Sequence, residues 1–196
     1  MPQTPNICVK DQVPLPYKEA AWAVIQCFGS AVGLLARRRL RHPKKHLGMR
    51  LGFADGTTAR VYRETVVAGR ATAEPCVLFV EFRLRFGRGW GHAVFQVESL
   101  LNTPLFVGFP GFVSKLWLAH DDNGVYRGVY QWDGADRAEH YARSLWCVLA
   151  LVSVPGSIHY RVVPGLRRDE VLDAPYLLNA TAPTDATAWW RLVAVQ

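Results

Sequence analysis

The order of apolar runs between residues 75 and 165 constrains this chain more than any other feature. Residues 75–86 (PCVLFVEFRLRF) alternate with period two. Leu78, Val80, Phe82, Leu84 and Phe86 fall on one face, and Val77, Phe79, Glu81, Arg83 and Arg85 on the other, as in a strand. Residues 92–102 (HAVFQVESLLN) have helical spacing. Residues 112–120 (FVSKLWLAH) and 125–132 (VYRGVYQW) read as strands joined by a tight turn at 121–124, where Asn-Gly supplies the positive backbone angles. Residues 135–152 place Ala138, Tyr141, Ala142, Leu145, Val148, Leu149 and Val152 at helical spacing, and 157–163 (SIHYRVV) reads as a last strand. Strand, helix, strand, strand, helix, strand predicts an α+β fold: a ferredoxin-like βαββαβ antiparallel sheet with both helices on one face. That order predicts no reaction, because such a sheet hosts many unrelated functions. It also leaves the second face of the sheet in need of a cover.

At 196 residues the chain is long enough for this unit with additions on both sides. The expected organisation is an N-terminal arm and helix (1–46), a β-hairpin extension (47–74), the α/β unit (75–165) and a C-terminal extension (166–196). Residues 1–16 hold four prolines and read as an extended arm. Residues 17–40 read as a helix ended by Pro43, whose ring cannot continue one. Within it, 20–36 (AAWAVIQCFGSAVGLLA) carries no charge, and 37–45 (RRRLRHPKK) then brings six Lys or Arg in nine residues. One reading is a helix packed on the domain or on a partner. The other is a peripheral membrane contact through residues 17–45, with the arginines facing anionic headgroups; 17 uncharged residues lie at the bottom of the range for a span. Residues 47–54 and 58–67 flank Asp55-Gly56-Thr57, a strong hairpin signal. After Pro164-Gly165, residues 167–172 suggest a short helix and 188–195 a strand or docking tail.

Half the residues are apolar, enough for a core and too many for a disordered chain. The net charge of +7 is nearly all in the 37–45 run, so no nucleic-acid partner is expected. Cys8, Cys27, Cys76 and Cys147 form no CxxC pair. The opening residues lack the basic-then-apolar pattern of a secretory signal, which leads to an expectation of a cytoplasmic protein, with membrane association as the alternative. The glycines of 87–91 (GRGWG) match neither a phosphate loop nor a dinucleotide fingerprint. No HxH or HExxH occurs and no serine stands at a nucleophile elbow, so neither a metal site nor a Ser-His-Asp site is expected.

The run LNTPLFVGFPGFVSKLWLAHDDNGVYRGVYQWDG from Leu101, a helix, and then PGSIHYRVVPG carries a resemblance. Pro110-Gly111-Phe112, Ser114-Lys115, Tyr126-Arg127-Gly128 through Trp132, and Pro155-Gly156-Ser157 are its specific points. Over the middle half of the chain this resembles the YdhR-like mono-oxygenase family of the dimeric α/β-barrel superfamily. The helix at 17–40 and the tail after 166 depart from that family's compact pattern. The resemblance implies a homodimer whose sheets pack face to face, with Phe79 and Trp117 on the paired face. It also implies an apolar cavity between sheet and helices, and a cofactor-independent enzyme acting on a small apolar, aromatic or polyketide-like metabolite, as a mono-oxygenase or a cyclase or isomerase. Two alternatives are a non-catalytic dimeric binding or scaffold protein, and a haem-binding protein, for which one axial His is enough.

Such chemistry needs a pocket, a proton-handling group and donors for a developing oxyanion. His120, at a strand end, Tyr130 and Asn102 are the expected catalytic residues. Tyr126, Trp132, Tyr141, His159 and Phe109 are the expected substrate-binding residues. Glu81 and Arg83 alternate with apolar residues and are expected in ion pairs, Glu81 with Lys115 or Arg127.

Overall fold

The structure, a computed structural model, describes residues 13–85, 103–180 and 188–196. Along the chain it contains helix α1 (Tyr17–Ala36), strands β1 (Leu40–Arg41), β2 (Arg50–Phe53), β3 (Thr58–Val67) and β4 (Pro75–Arg83), and one helical turn, α2 (Pro104–Val107). Then follow β5 (Phe112–Leu118), β6 (Val125–Asp133), helix α3 (Ala135–Val152), β7 (His159–Pro164), helix α4 (Arg168–Asp173), a 3-10 segment (Pro175–Ala180) and β8 (Leu192–Val195). The strands form an antiparallel sheet in the order β7-β4-β6-β5-β3-β2-β8, with β1 beside β3. Its first four members have the order of a ferredoxin-like sheet, so the class is α+β. The helix expected at 92–102 lies outside the described residues.

Helix α1 ends at Ala36, well before Pro43. Arg38 takes a left-handed φ of 52°, and Leu40 and Arg41 then pair with Val67 and Val66. The Arg39 guanidinium fastens this reversal by donating from Nε and Nη2 to the Ala68 carbonyl, at 2.9 and 2.7 Å. Tertiary pairing, not proline, stops the helix. The Asp55-Gly56 hairpin joins β2 to β3 with Gly52 opposite Thr58, and β3 then extends the four-stranded unit by pairing with β5.

Both faces of the sheet are buried. The helix side holds Leu78 and Val80 of β4, Tyr130 and Trp132 of β6, Ala138, Tyr141 and Leu145 of α3, and Cys27, Ala31 and Leu34 of α1. On the second face lie Val77, Phe79, Leu116, Leu118, Val129 and Val163. These are covered by this chain's own hairpin and C-terminal segment, through Leu51, Phe53, Val171, Leu172, Leu178, Trp190 and Leu192. Phe79 is only 1% exposed, against the Trp190 ring at 5.9 Å. The face that the resemblance would pair with a second copy is therefore occupied within one chain. Trp117 is not on that face; it belongs to the helix side.

Helix α1 rides on α2 and the turn that follows it. Gly108, with φ −80°, is required by space rather than by backbone angle. A Cβ there would lie 1.9 Å from the Cys27 carbonyl oxygen and 2.9 Å from the Ala31 nitrogen. Since those are backbone atoms of a helix, Gly108→Ala must push α1 outward. We expect a loss of about 1–3 kcal/mol, seen as a lower urea midpoint at unchanged m-value. A stability within about 0.5 kcal/mol of the wild type would show that α1 does not approach α2 so closely.

Candidate active site

A bulge sets up the site. The register of β5 against β6 shifts between Phe112 and Ser114. Past it, Lys115 faces Tyr130 across one pair and Thr65 across the other, and Trp117 faces Gly128 and Arg63. Alternation then puts Arg63, Thr65, Lys115, Trp117 and Tyr130 on the helix side.

Lys115 is 8% exposed. Its Nζ stands 3.3 Å from the centroid of the Trp117 ring and 4.7 Å from those of Phe106 and Tyr130. No hydrogen bond or carboxylate pair holds that amine among the described residues. Burial drives its pKa well below the usual lysine value of 10.5, and the neighbouring Arg63 charge pushes the same way. The ring faces favour the ammonium and act against that shift. Trp117 is itself fixed, since its indole N–H donates to Thr65 Oγ1 at 3.0 Å. Gly128 leaves room for the Tyr130 ring to lean over it; a Cβ there would meet Tyr130 Cε2 at 2.7 Å.

Arg63 lies over the same indole, its Cζ 4.2 Å from the Trp117 centroid. It donates from Nη2 to Thr103 Oγ1. Its Nε and Nη1 are buried and make no hydrogen bond among the described residues. Burial lowers its pKa from the ordinary arginine value. Those two nitrogens leave three N–H bonds unused on one guanidinium; single nitrogens of Arg127, Arg161, Arg168 and Arg191 are also unpartnered, but Arg63 has two and lies on the same indole as the Lys115 amine.

Tyr141 of α3 donates to the Tyr130 hydroxyl at 3.3 Å. Burial raises both phenols above their ordinary pKa, so each stays a neutral donor. Burial also pushes the Cys27 thiol up to about 11 and Cys76 up to about 12, which keeps both from acting as thiolates.

The expected site residues divide into three places. Tyr130, Trp132, Tyr141 and Phe109 are brought together on the helix side, with Tyr141 5.2 Å from Phe109 and 4.8 Å from Trp132 between ring centroids. His120 and Tyr126 pair edge to face at 5.6 Å near the β5–β6 turn. Tyr126 stacks on Phe82 there, and His120 Nδ1 lies 3.0 Å from the Asp121 carbonyl. Tyr130 pairs with Lys115, five residues from His120 and so about 16 Å along the strand; the two do not share a site. His159 is on the surface, its Nδ1 3.2 Å from Glu81. Asn102 lies outside the described residues.

Glu81 pairs with Arg127 at 3.2 Å, and Lys115 faces away from both. The Arg127 guanidinium also reaches Asp55 at 2.7 Å, Asp121 at 2.9 Å and Thr57 Oγ1 at 2.8 Å, so it ties two turns to β4 on the second face. An open cleft of about 270 Å³ beside it is lined by Glu81, Arg83, Ser157 and His159. His42 and His46, four residues apart, both turn Nδ1 toward Glu64, His42 to its carbonyl at 3.1 Å and His46 to its carboxylate at 2.8 Å. Among the described residues no group of three or more His, Cys, Asp or Glu is placed to hold a metal ion.

Lys115 and Arg63 are what sequence reading missed. The signal in the sequence was a lone charged residue within β5, Lys115 between Ser114 and Leu116, but the bulge after Phe112 hides its face from strict alternation.

No protein-family model matches the chain, and no curated protein matches it. Among solved structures the chain is similar to a ferredoxin-fold protein of Listeria monocytogenes, described as uncharacterized and related to antibiotic biosynthesis monooxygenases. The identity is 16% and the TM-score 0.39, over 56% of this chain and 64% of that one.

The buried amine has a thermodynamic signature. Its pKa is lower in the fold than in the unfolded chain. Between the folded value and 10.5 the unfolded state binds the extra proton, so stability rises with pH across that window. Lys115→Met removes this dependence. We expect the variant to match or exceed the wild type near pH 7, with a lead that shrinks toward pH 10 by up to about 1.4 kcal/mol per unit. Urea unfolding of both proteins over that range is the measurement, and a lead independent of pH would show an ordinary lysine.

Proposed function

We propose that the chain is an enzyme whose common step is removal of an acidic proton from a small apolar, aromatic or polyketide-like molecule bound on the helix side of the sheet. The observation that carries this reading is Lys115, an amine enclosed by Trp117, Phe106 and Tyr130, beside the two unused donors of Arg63.

Neutral Lys115 takes a proton from a C–H flanked by carbonyls, or from a phenolic O–H. The electron pair of that bond stays on the substrate as an enolate or phenolate, and Nζ becomes an ammonium. The Trp117 face, 3.3 Å away, stabilises the new cation without offering a competing base. Arg63 Nε and Nη1 donate to the oxyanion, where donors already in place cost no reorganisation. The Tyr130–Tyr141 pair orients a second oxygen. The surrounding rings exclude water, which strengthens each of these interactions. The resulting electron-rich anion is the species that either reacts with dioxygen, a phenol losing its O–H and one ring C–H hydrogen so that one oxygen atom becomes a quinone carbonyl and the other leaves as water, or closes a ring or isomerises.

The test is a panel of polycyclic phenols and β-diketones followed by oxygen uptake and by product analysis. For any member turned over, Lys115→Met should lower kcat by about 10²–10⁴, the span of a general base. Arg63→Gln should lower it by about 10²–10³, the span of one oxyanion donor. Turnover unchanged in Lys115→Met would remove the lysine from the mechanism. A panel neither bound nor turned over by the wild type would remove the enzyme reading.

A further inference from the structure

We infer that helix α1 is an in-plane docking element for an anionic lipid surface. Its inner face is made of small residues: Ala20, Cys27 and Ala31 are buried together with Leu34. Its outer face is the opposite. Trp22, Ile25, Phe28, Val32 and Leu35 recur at intervals of three and four and are all exposed, Trp22 at 61% and Ile25 at 62%. A helix that is apolar on both sides has one side left to bury.

The apolar surface continues beyond α1. The Leu15 carbonyl accepts from Cys147 Sγ at 3.8 Å, and Arg143 Nε donates to the Val13 carbonyl at 2.9 Å. The start of α1 therefore borders the last turns of α3, where Val148, Leu151 and Val152 are exposed, Leu151 at 74%. Tyr17, 82% exposed, stands at that junction. Such contiguous exposure marks an interaction surface.

Charge selects the occupant. Arg37, Arg38, Arg41, Lys44 and Lys45 follow the helix directly and are exposed. Among the described residues only Lys45 of these has a carboxylate nearby, Asp169 at 3.8 Å. An apolar stripe with aromatic residues, bordered by a cluster of free cations, complements the headgroup and upper acyl region of an anionic leaflet.

Length and composition alone would let Tyr17–Ala36 cross a bilayer. Its inner face is committed to α2, however, with the Gly108 position in backbone contact with Cys27. While the fold is intact, the helix can only lie along the surface. This inference stands independently of the catalytic reading.

Flotation of the full chain with two kinds of vesicle tests it: phosphatidylcholine alone, and phosphatidylcholine with about a third phosphatidylglycerol. We expect binding to the anionic vesicles and much weaker binding to the neutral ones. Raising the salt to about 1 M, where the Debye length is about 3 Å, should weaken it further. The double substitution Ile25→Ser, Phe28→Ser touches only the outer face and should lower partitioning by about tenfold or more. Arg37→Glu with Arg38→Glu should also lower it by about tenfold. Circular dichroism should show every variant folded as the wild type. Failure to bind either vesicle overturns the inference, as does binding unchanged by the double serine variant. A dimer in gel filtration that the serine variant dissolves, without vesicle binding, would assign the stripe to a second copy of the chain and overturn it equally.

Discussion

Closure of the second sheet face by the same chain is the constraint on which the rest of the structure depends. A sheet carrying Phe79, Leu116 and Val129 on that face cannot leave it in water. The hairpin and C-terminal segment bury it, and two buried arginines fasten them. Arg127 gathers Asp55, Asp121 and Glu81 around one guanidinium. Arg168 reaches Glu64 at 2.7 Å while its backbone N–H donates to Gln131, and Glu64 is held in turn by His46. Each cation has carboxylate partners, although Arg127 Nε and Arg168 Nη1 make no hydrogen bond among the described residues, so most of its desolvation is offset where an unpaired charge would be costly. With that face spent on the fold, Trp117, Tyr130 and the rings around Lys115 belong to the helix-side core.

The helix side treats charge differently. Lys115 and Arg63 are neighbours there, with ring faces where the other side has carboxylates. A lysine confined among rings loses most of its hydration and gains only quadrupole attraction in return. That conflict between local chemistry and a well-packed core is the kind of inconsistency that concentrates at functional positions. The contrast with Arg127, whose three carboxylates are all present, shows that the same sheet can neutralise a cation where the cation's only task is to hold turns together.

Much of the fold was legible in the sequence. The four strands of the central unit, the second long helix and the Asp-Gly hairpin were all readable, because each is specified by period or turn chemistry within a dozen residues. What was not legible depended on distant contacts. The end of α1 is set by β1 pairing with β3, fixed by Arg39 on Ala68. In β5 the bulge after Phe112 reverses parity, so Phe112 and Lys115 share a face that strict alternation would deny them. That one extra residue is why Trp117 reads from sequence as belonging to the second face, and why Lys115 reads as a partner for Glu81. His120 and Tyr130 suit the same chemistry by residue type, but strand register separates them. Tyr130, Tyr141, Trp132 and Phe109 meet because the sheet face and the α3 stripe, both readable, have to pack together.

The position of α1 links the two surfaces on which function is proposed. Its inner face rests on α2, and Phe106 of α2 is one of the rings around Lys115. The outer stripe is thus carried by the helix that packs on α2, whose Phe106 ring lies 4.7 Å from Lys115 Nζ. A membrane against Trp22 and Phe28 would place its acyl region just outside the roof of the site. Apolar molecules that partition into lipid would then be concentrated next to the α1–α2 contact. The close packing that keeps α1 from spanning a bilayer is the same contact that seats α2, and with it the Phe106 ring beside Lys115.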